Sequence, residues 1–351
     1  MKVHLIDVDS TITNLALAKL SAWHKAQGDE VTLIRGLKDG LGKDTPDKAY
    51  VSVIYKKNRE KVDILLDACR VDTSFMDAKV DIDVGGSGYD LKKELPPEVE
   101  AMKPDYSLYP ENDYSIGFAS RGCFRNCYFC VVPEKEGKFR RVAHPSEWYN
   151  PEYDKIVFLD NNILTDKEYF MELTDWCAEK NLSVWWTQGL DIRKLDEDIA
   201  GQLLKMKTYK SIFFAWDNIK DEAIIKEKIA LLKSVGFTNS MCRAKVQFYC
   251  YVDNGSEEEY QSGLYRAREL KKLSCNAFIM FNIDNEVPDN IRGLRRWANK
   301  KQLFWLIDID EYKDEDYKER EAKYKAKKKA QLAADRIAKL TETTETLDSW
   351  L

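Results

Sequence analysis

This sequence of 351 residues lacks several features that are typical of membrane, repeat, secreted or nucleic-acid-binding proteins. No apolar run approaches the roughly 18 residues that a membrane-spanning helix needs, so we expect no membrane span. No repeat of solenoid length is visible. Residues 1–9 become charged within a few positions, so we expect no secretory signal peptide. A net charge of −5 argues against wholesale nucleic-acid binding.

Cysteine is modestly represented, with 8 residues in the chain. Five of them are dispersed in apolar or helical contexts and are expected to be small buried side chains: Cys69, Cys177, Cys242, Cys250 and Cys275. This distribution argues against a disulfide framework and predicts a reducing compartment, the cytoplasm.

The remaining three cysteines, Cys123, Cys127 and Cys130, form a Cys-x3-Cys-x2-Cys cluster. Thiolate sulfur is soft and selects iron–sulfur clusters, zinc or Cu(I). Three ligands where four are normal would leave one iron of a 4Fe-4S cluster open to an outside ligand. An alternative is a structural zinc site in which His144 supplies the fourth ligand.

With the aromatic Phe129 just before the third cysteine, this motif resembles the signature of radical S-adenosylmethionine enzymes. The resemblance implies a 4Fe-4S cluster that binds S-adenosylmethionine through its open iron and cleaves it reductively to a 5′-deoxyadenosyl radical, which abstracts hydrogen. It also implies that the backbone of Phe129 faces the adenine. Because no second cluster motif is visible, an external one-electron donor such as a flavodoxin or ferredoxin is expected.

The alternation of strand and helix patterns predicts an α/β protein. Residues 1–94 form a small parallel-sheet domain, and residues 95–113 are a linker in which prolines are expected to break any helix. Residues 114–306 hold six strand–helix units, the number in the partial (β/α)6 barrel of the superfamily. Residues 307–351 are a charged helical extension.

The first domain resembles a shortened, flavodoxin-like cobalamin-binding domain. Its loop at residues 7–14 lacks the histidine and glycine of the family motif, while Gly85 and Gly86 fit the later glycine pair. Cobalamin is a candidate cofactor, but we expect a remnant that does not bind it.

Polar residues at strand ends are the candidate contacts to S-adenosylmethionine, by position in the resemblance. Asp160, Asn161 and Asn162 would hold the methionine amino group, and Arg193 its carboxylate. The other positions are Gln188, Asp191, Asp217, Tyr251 and Asp253, with Asn282 and Asp284 lining a substrate cavity. The alternative for each is ordinary turn or helix-cap chemistry.

The substrate is not identified by the sequence. The basic loop at residues 135–141 and the lysine-rich helix at 311–340 leave an RNA or nucleotide substrate open, against a solvated surface. A small-molecule or peptide substrate and a non-catalytic iron–sulfur or zinc protein are the other hypotheses.

Overall fold

The computed structural model describes residues 1–40, 44–71, 80–253, 256–282 and 286–312. Its first unit is a sheet of four parallel strands in the order β2-β1-β3-β4. The elements are β1 (Lys2–Asp7), α1 (Leu15–Ala26), β2 (Glu30–Arg35), β3 (Lys48–Ser52), α2 (Arg59–Val71) and β4 (Asp81–Gly85). β1 is buried almost throughout, as expected of a central strand covered on both faces.

The predicted linker is more ordered than the prolines suggested. Pro97 begins a one-turn helix, α3 (Pro97–Glu100), because proline is well tolerated in the first turn of a helix. Val99 and Tyr109 are buried against α1 and the first sheet. The expectation that prolines here break any helix is therefore wrong.

The second unit contains two three-stranded parallel sheets, β5-β8-β9 and β10-β11-β12. Two isolated parallel bridges link the sheets through the segment between β9 and β10: Val184 of β9 pairs with Thr208, and Leu190 pairs with Phe214 of β10. The strands are β5 (Ser115–Gly117), β8 (Lys155–Phe158), β9 (Ser183–Trp186), β10 (Ile212–Ala215), β11 (Val246–Val252) and β12 (Asn276–Phe281). Six parallel strands thus follow one another in chain order, which confirms an α/β fold with parallel sheets.

Helices separate these strands and cover one face of the sheets. They are α5 (Lys167–Glu179), α6 (Glu197–Lys205), α7 (Glu222–Ser234), α8 (Asn239–Lys245), α9 (Glu257–Lys272), α10 (Asp289–Asn299) and α11 (Lys301–Leu306). Their apolar faces pack on the strands in one large hydrophobic core. Asp166 and Asp196 cap α5 and α6 by accepting from main-chain amides, so each strand-to-helix turn is fixed.

The other face of β5, β8 and β9 contacts the first unit. Ile12 and Leu15 pack with Ile116, Val157 and Trp185 in a separate cluster. The Tyr114 hydroxyl also accepts a hydrogen bond from the Thr13 amide, at 3.1 Å. The first unit therefore contributes to the core of the second.

The predicted helix at 311–340 lies outside the described residues, except for the end of a short 3-10 turn at Ile309–Glu311. Asp284 also lies outside them. Of the described helices, α3, α8, α11 and the one-turn helix at Val132–Lys135 were not predicted.

Candidate functional site

The three clustered cysteines lie in a loop closed by a small antiparallel hairpin. Its strands, β6 (Ser120–Arg121) and β7 (Arg140–Arg141), flank the loop, and the Cys123 amide donates to the Gly137 carbonyl at 3.2 Å. A one-turn helix, α4 (Val132–Lys135), follows the third cysteine. The cysteine loop, defined here as residues 122–131, is thus tied down at both ends.

Asp160 anchors the start of this hairpin. Its Oδ1 accepts from the Ser120 amide at 2.5 Å and the Ser120 hydroxyl at 2.6 Å, and its Oδ2 accepts from the Ala119 amide at 3.1 Å. Burial raises the pKa of Asp160 to about 6, although these hydrogen bonds favour the charged form. Both oxygens are engaged within the protein, so Asp160 fixes the route into the loop.

The next two residues continue along the same loop. Asn161 Oδ1 accepts from the Gly122 amide at 2.8 Å, and Asn162 Nδ2 donates to Cys123 Sγ at 3.4 Å. Asn162 is only 4% exposed, and its Oδ1 has no hydrogen-bond partner in the described part of the chain. A buried amide oxygen without a donor is costly, so this atom is suited to a ligand N–H.

The thiols have donors around them. Cys123 Sγ also accepts from the Arg125 amide at 3.4 Å. Although burial lowers it, the pKa of Arg125 is raised by the neighbouring Cys127 thiol and by Asp191. Burial raises the pKa of the Cys130 thiol, and the neighbouring thiols add to that increase. Cys123 thus has a main-chain donor beside its sulfur, and Cys127 has the Arg125 cation beside it.

A chain of alternating charges leads away from Cys127. Arg125 lies 3.5 Å from Asp191, Asp191 accepts from Arg193 Nε at 2.7 Å, and Arg193 Nη1 donates to Asp221 at 3.1 Å. Burial raises the pKa of Asp191, while Arg125 opposes that rise. Arg193 therefore pairs with two carboxylates, those of Asp191 and Asp221. Arg125 makes a single, longer contact with the Asp191 carboxylate.

The strand end of β11 meets the cysteine loop through aromatic rings. The Tyr251 amide donates to Asp217 Oδ1 at 3.0 Å, and the Tyr251 hydroxyl donates to Asp253 Oδ1 at 3.2 Å. The Tyr251 ring stacks on the Phe129 ring. Burial raises the pKa of Asp217. Phe129, Asp217, Tyr251 and Asp253 are thus brought together.

Most predicted site residues therefore form one constellation around the cysteine loop. The exception is Gln188, which is exposed and donates to its neighbour Thr187 at 3.4 Å. Sequence reasoning missed Arg125, although it lies inside the motif, and Arg266, a buried arginine of α9 that contacts the β10 and β11 ends. Asn282 follows β12 directly.

His144 is engaged away from the thiols. Its Nδ1 lies 2.7 Å from Ser146 Oγ, its Nε2 lies 4.0 Å from Glu172, and its ring packs edge-on against Trp176. In the described ranges, no group of three or more histidine, cysteine or acidic side chains is placed to hold a metal ion. The Cys3His arrangement is therefore not formed among the described residues, because His144 contacts Ser146 and Trp176 instead.

Part of the basic loop is neutralised within the protein. Arg141 pairs with Asp166 at 2.7 Å, and Lys135 contacts Glu136 at 3.7 Å and Ser87 of the first unit at 2.7 Å.

Two surface depressions are lined by residues outside the cysteine loop. One lies around residues 286–292, and the other lies between α5 and α6.

No protein-family model matches this chain, and no curated protein matches it by sequence. Among the described residues, no helix is long and apolar enough to cross a membrane.

Proposed function

We propose that this protein is a radical S-adenosylmethionine enzyme whose reactive site is the cysteine loop. The proposal includes a 4Fe-4S cluster held by Cys123, Cys127 and Cys130, and a partial (β/α)6 barrel formed by the six parallel strands. With cluster and S-adenosylmethionine bound, one external electron would give the 5′-deoxyadenosyl radical that abstracts hydrogen from the substrate. A cytoplasmic location is part of the proposal.

The observation that carries this proposal is the position of Asn162. Its Nδ2 donates to Cys123 Sγ while its buried Oδ1 has no partner in the described ranges. The Asn162 side chain therefore directs its N–H group at the Cys123 thiol, and its carbonyl oxygen is available as an acceptor next to that thiol. An amino group of a ligand bound next to the cluster would satisfy that acceptor.

The surrounding residues suit the rest of the ligand. Asp160 and Asn161 hold the loop backbone, so Asn162 is the member of the triplet left to meet the amino group. Arg125, about a third exposed, is the less engaged cation and suits a carboxylate better than Arg193 does. Phe129, Tyr251, Asp217 and Asp253 contact one another beside the cysteine loop, and we assign the adenosine to them.

The first unit supports a remnant that has lost cobalamin. The strand order β2-β1-β3-β4 is that of the first four strands of a flavodoxin-like sheet. Asp9, in the loop where the family histidine would lie, accepts from Ile54 N at 2.8 Å, Tyr55 N at 3.1 Å and Asn58 Nδ2 at 2.9 Å. A carboxylate with three internal donors serves the turn rather than a ligand.

Two other functions stay as alternatives. A nucleic-acid substrate is favoured by the exposed rings of Tyr128 (77%) and Phe124 (51%) at the loop, because exposed aromatics stack on bases. The Lys194 ammonium lies over the Phe124 ring, at 4.8 Å. A non-catalytic iron–sulfur or zinc protein would bind metal without cleaving S-adenosylmethionine.

The test is anaerobic reconstitution with iron and sulfide, followed by dithionite reduction with S-adenosylmethionine and chromatography of 5′-deoxyadenosine. Cys127→Ala removes a loop thiol, and Cys69→Ala is the matched control outside the loop. We expect product from the wild type and Cys69→Ala but none from Cys127→Ala. Zinc in the purified protein, with no cluster spectrum and no product, would refute the proposal.

A further inference from the structure

Arg266 is a buried cation, only 1% exposed, and no acidic side chain of the described ranges lies within ion-pair distance of it. Its three donor groups instead reach main-chain carbonyls: Trp216 at 2.7 Å, Tyr251 at 2.9 Å and Ser262 at 3.1 Å. Burying a guanidinium is costly, so these hydrogen bonds are what keep it in place.

Two of those carbonyls belong to neighbouring strand ends. Trp216 directly follows β10, and Tyr251 is near the end of β11. Between them, Asp217 Oδ1 accepts from the Tyr251 amide, and the charge of Arg266 stabilises the Asp217 carboxylate from nearby. The guanidinium and the carboxylate therefore both hold these two strand ends together.

The packing of α9 brings Arg266 within reach. Gly263 lies one turn before it, and a Cβ at Gly263 would lie 2.7 Å from Val252 Cγ2. This distance is shorter than carbon atoms tolerate, so only glycine permits the helix to approach β11 this closely.

We propose that Arg266 is a positioning residue for the cysteine loop and acts through Tyr251. The main chain of Tyr251 is held by Arg266 and Asp217, and its ring stacks on Phe129, which directly precedes Cys130. Arg266 thereby fixes the wall against which the loop rests, without touching the loop. The role of the loop as the reactive site rests on the proposed function, whereas the mechanical coupling does not.

The test is hydrogen–deuterium exchange, read by mass spectrometry, on the full-length, metal-free protein. Arg266→Lys keeps the charge but can no longer bridge two carbonyls with a planar fork. Arg268→Lys is the matched control, because Arg268 lies on the same helix and pairs with Asp308 and Asp310. We expect roughly tenfold faster exchange in residues 122–131 in Arg266→Lys, with α5 and the first sheet unchanged, and no change in Arg268→Lys.

Unchanged exchange of the cysteine loop in a folded Arg266→Lys protein would overturn the inference, as would a uniform increase over the whole chain. Should Arg266→Lys fold poorly, Gly263→Ala provides a second variant that moves α9 away from β11. It has to show the same loop-specific increase. Because no cluster is present, failure here is distinguishable from failure of the reconstitution assay.

Discussion

The Phe129 ring lies flat on the Tyr251 ring, with ring centroids 4.2 Å apart and planes 17° from parallel. This stack is a side-chain contact between the cysteine loop and the end of β11. It joins residues 122 positions apart in sequence and lies beside the third cysteine.

Replacing the ring tests how much the stack stabilises the loop. We expect Tyr251→Leu to lower the free energy of unfolding by about 1–2 kcal/mol, because it removes an aromatic pair as well as apolar contact. Tyr251→Phe keeps the ring and loses only a partly exposed hydrogen bond to Asp253, so it should cost less than about 1 kcal/mol. Urea unfolding measures both, and equal losses would contradict a role for stacking.

Gly122 sets the direction in which the chain enters the cysteine loop. Its φ is +82°, and a Cβ there would lie 2.3 Å from the Lys138 carbonyl oxygen. Gly122→Ala should therefore displace the loop and abolish iron incorporation although all three thiols remain. Gly137→Ala is the control, because Gly137 has φ +71° but open space around it. Strain alone should cost it about 1 kcal/mol. Iron content after reconstitution discriminates between the two.

The raised pKa of Asp160 predicts a specific pH dependence of stability. Since the folded-state pKa is about 6 and the ordinary value 3.8, protonation is favoured in the folded protein. The stabilisation of the folded protein by protonated Asp160 is fully present below pH 4 and is lost as the pH rises through 6. The difference between the two pKa values corresponds to roughly 3 kcal/mol of unfolding free energy.

The Asp160→Asn variant isolates this effect. Its free energy of unfolding should lack the wild-type decrease between pH 4 and pH 6.5, when both are measured by urea unfolding across that range. Parallel curves for the two proteins would show that Asp160 titrates normally. The variant should also be less stable at low pH, because its amide N–H would face the Ala119 or Ser120 amide.

The two arginines near the thiols should behave differently. Arg193→Met leaves Asp191 and Asp221 without their closest partner and should cost about 1–2 kcal/mol, allowing for a side chain that is 25% exposed. Arg125→Met should cost about 0.5 kcal/mol or less. Its larger effect should be on binding of S-adenosylmethionine to the reconstituted protein, measured by equilibrium dialysis. If Arg193→Met weakened binding of S-adenosylmethionine more than Arg125→Met did, the contact to the methionine carboxylate would be assigned to Arg193.

Asn162→Ala tests the unpartnered amide oxygen directly. We expect normal iron content but at least about tenfold weaker binding of S-adenosylmethionine, because one buried hydrogen bond to a charged amino group is lost. Asn150→Ala is the matched control, because the side-chain oxygen of Asn150 accepts a hydrogen bond from the exposed Glu152 amide at 3.3 Å. Unchanged binding in Asn162→Ala would remove the observation on which the proposed function depends.

The sequence predicted the strands and helices well wherever apolar periodicity was strong. The apolar pattern predicts a helix at 257–273 and a strand at 276–281, and the structure has α9 (Glu257–Lys272) and β12 (Asn276–Phe281) there. α8 (Asn239–Lys245) was missed, because its only buried side chain is Cys242 and one residue makes no periodic pattern. Whether the domain boundaries at 94 and 113 separate independent units stays a prediction.

The candidate site was predictable in location but not in detail. Strand ends and the cysteine spacing are visible in sequence, and they gave the cluster of residues that the structure brings together. The separate roles of Asp160, Asn161 and Asn162 depend on which atoms of the loop each side chain contacts. The contacts of Arg266 depend on how closely α9 approaches the ends of β10 and β11. No spacing rule encodes either relationship.

The contact of Ile12 and Leu15 with Ile116, Val157 and Trp185 also limits how this protein can be divided. Removing residues 1–94 would uncover an apolar sheet face and the pairing partner of Tyr114, so a fragment starting near residue 114 would be prone to self-association. The first unit therefore shields one apolar face of the sheet β5-β8-β9 from solvent and so helps to keep the protein from self-associating.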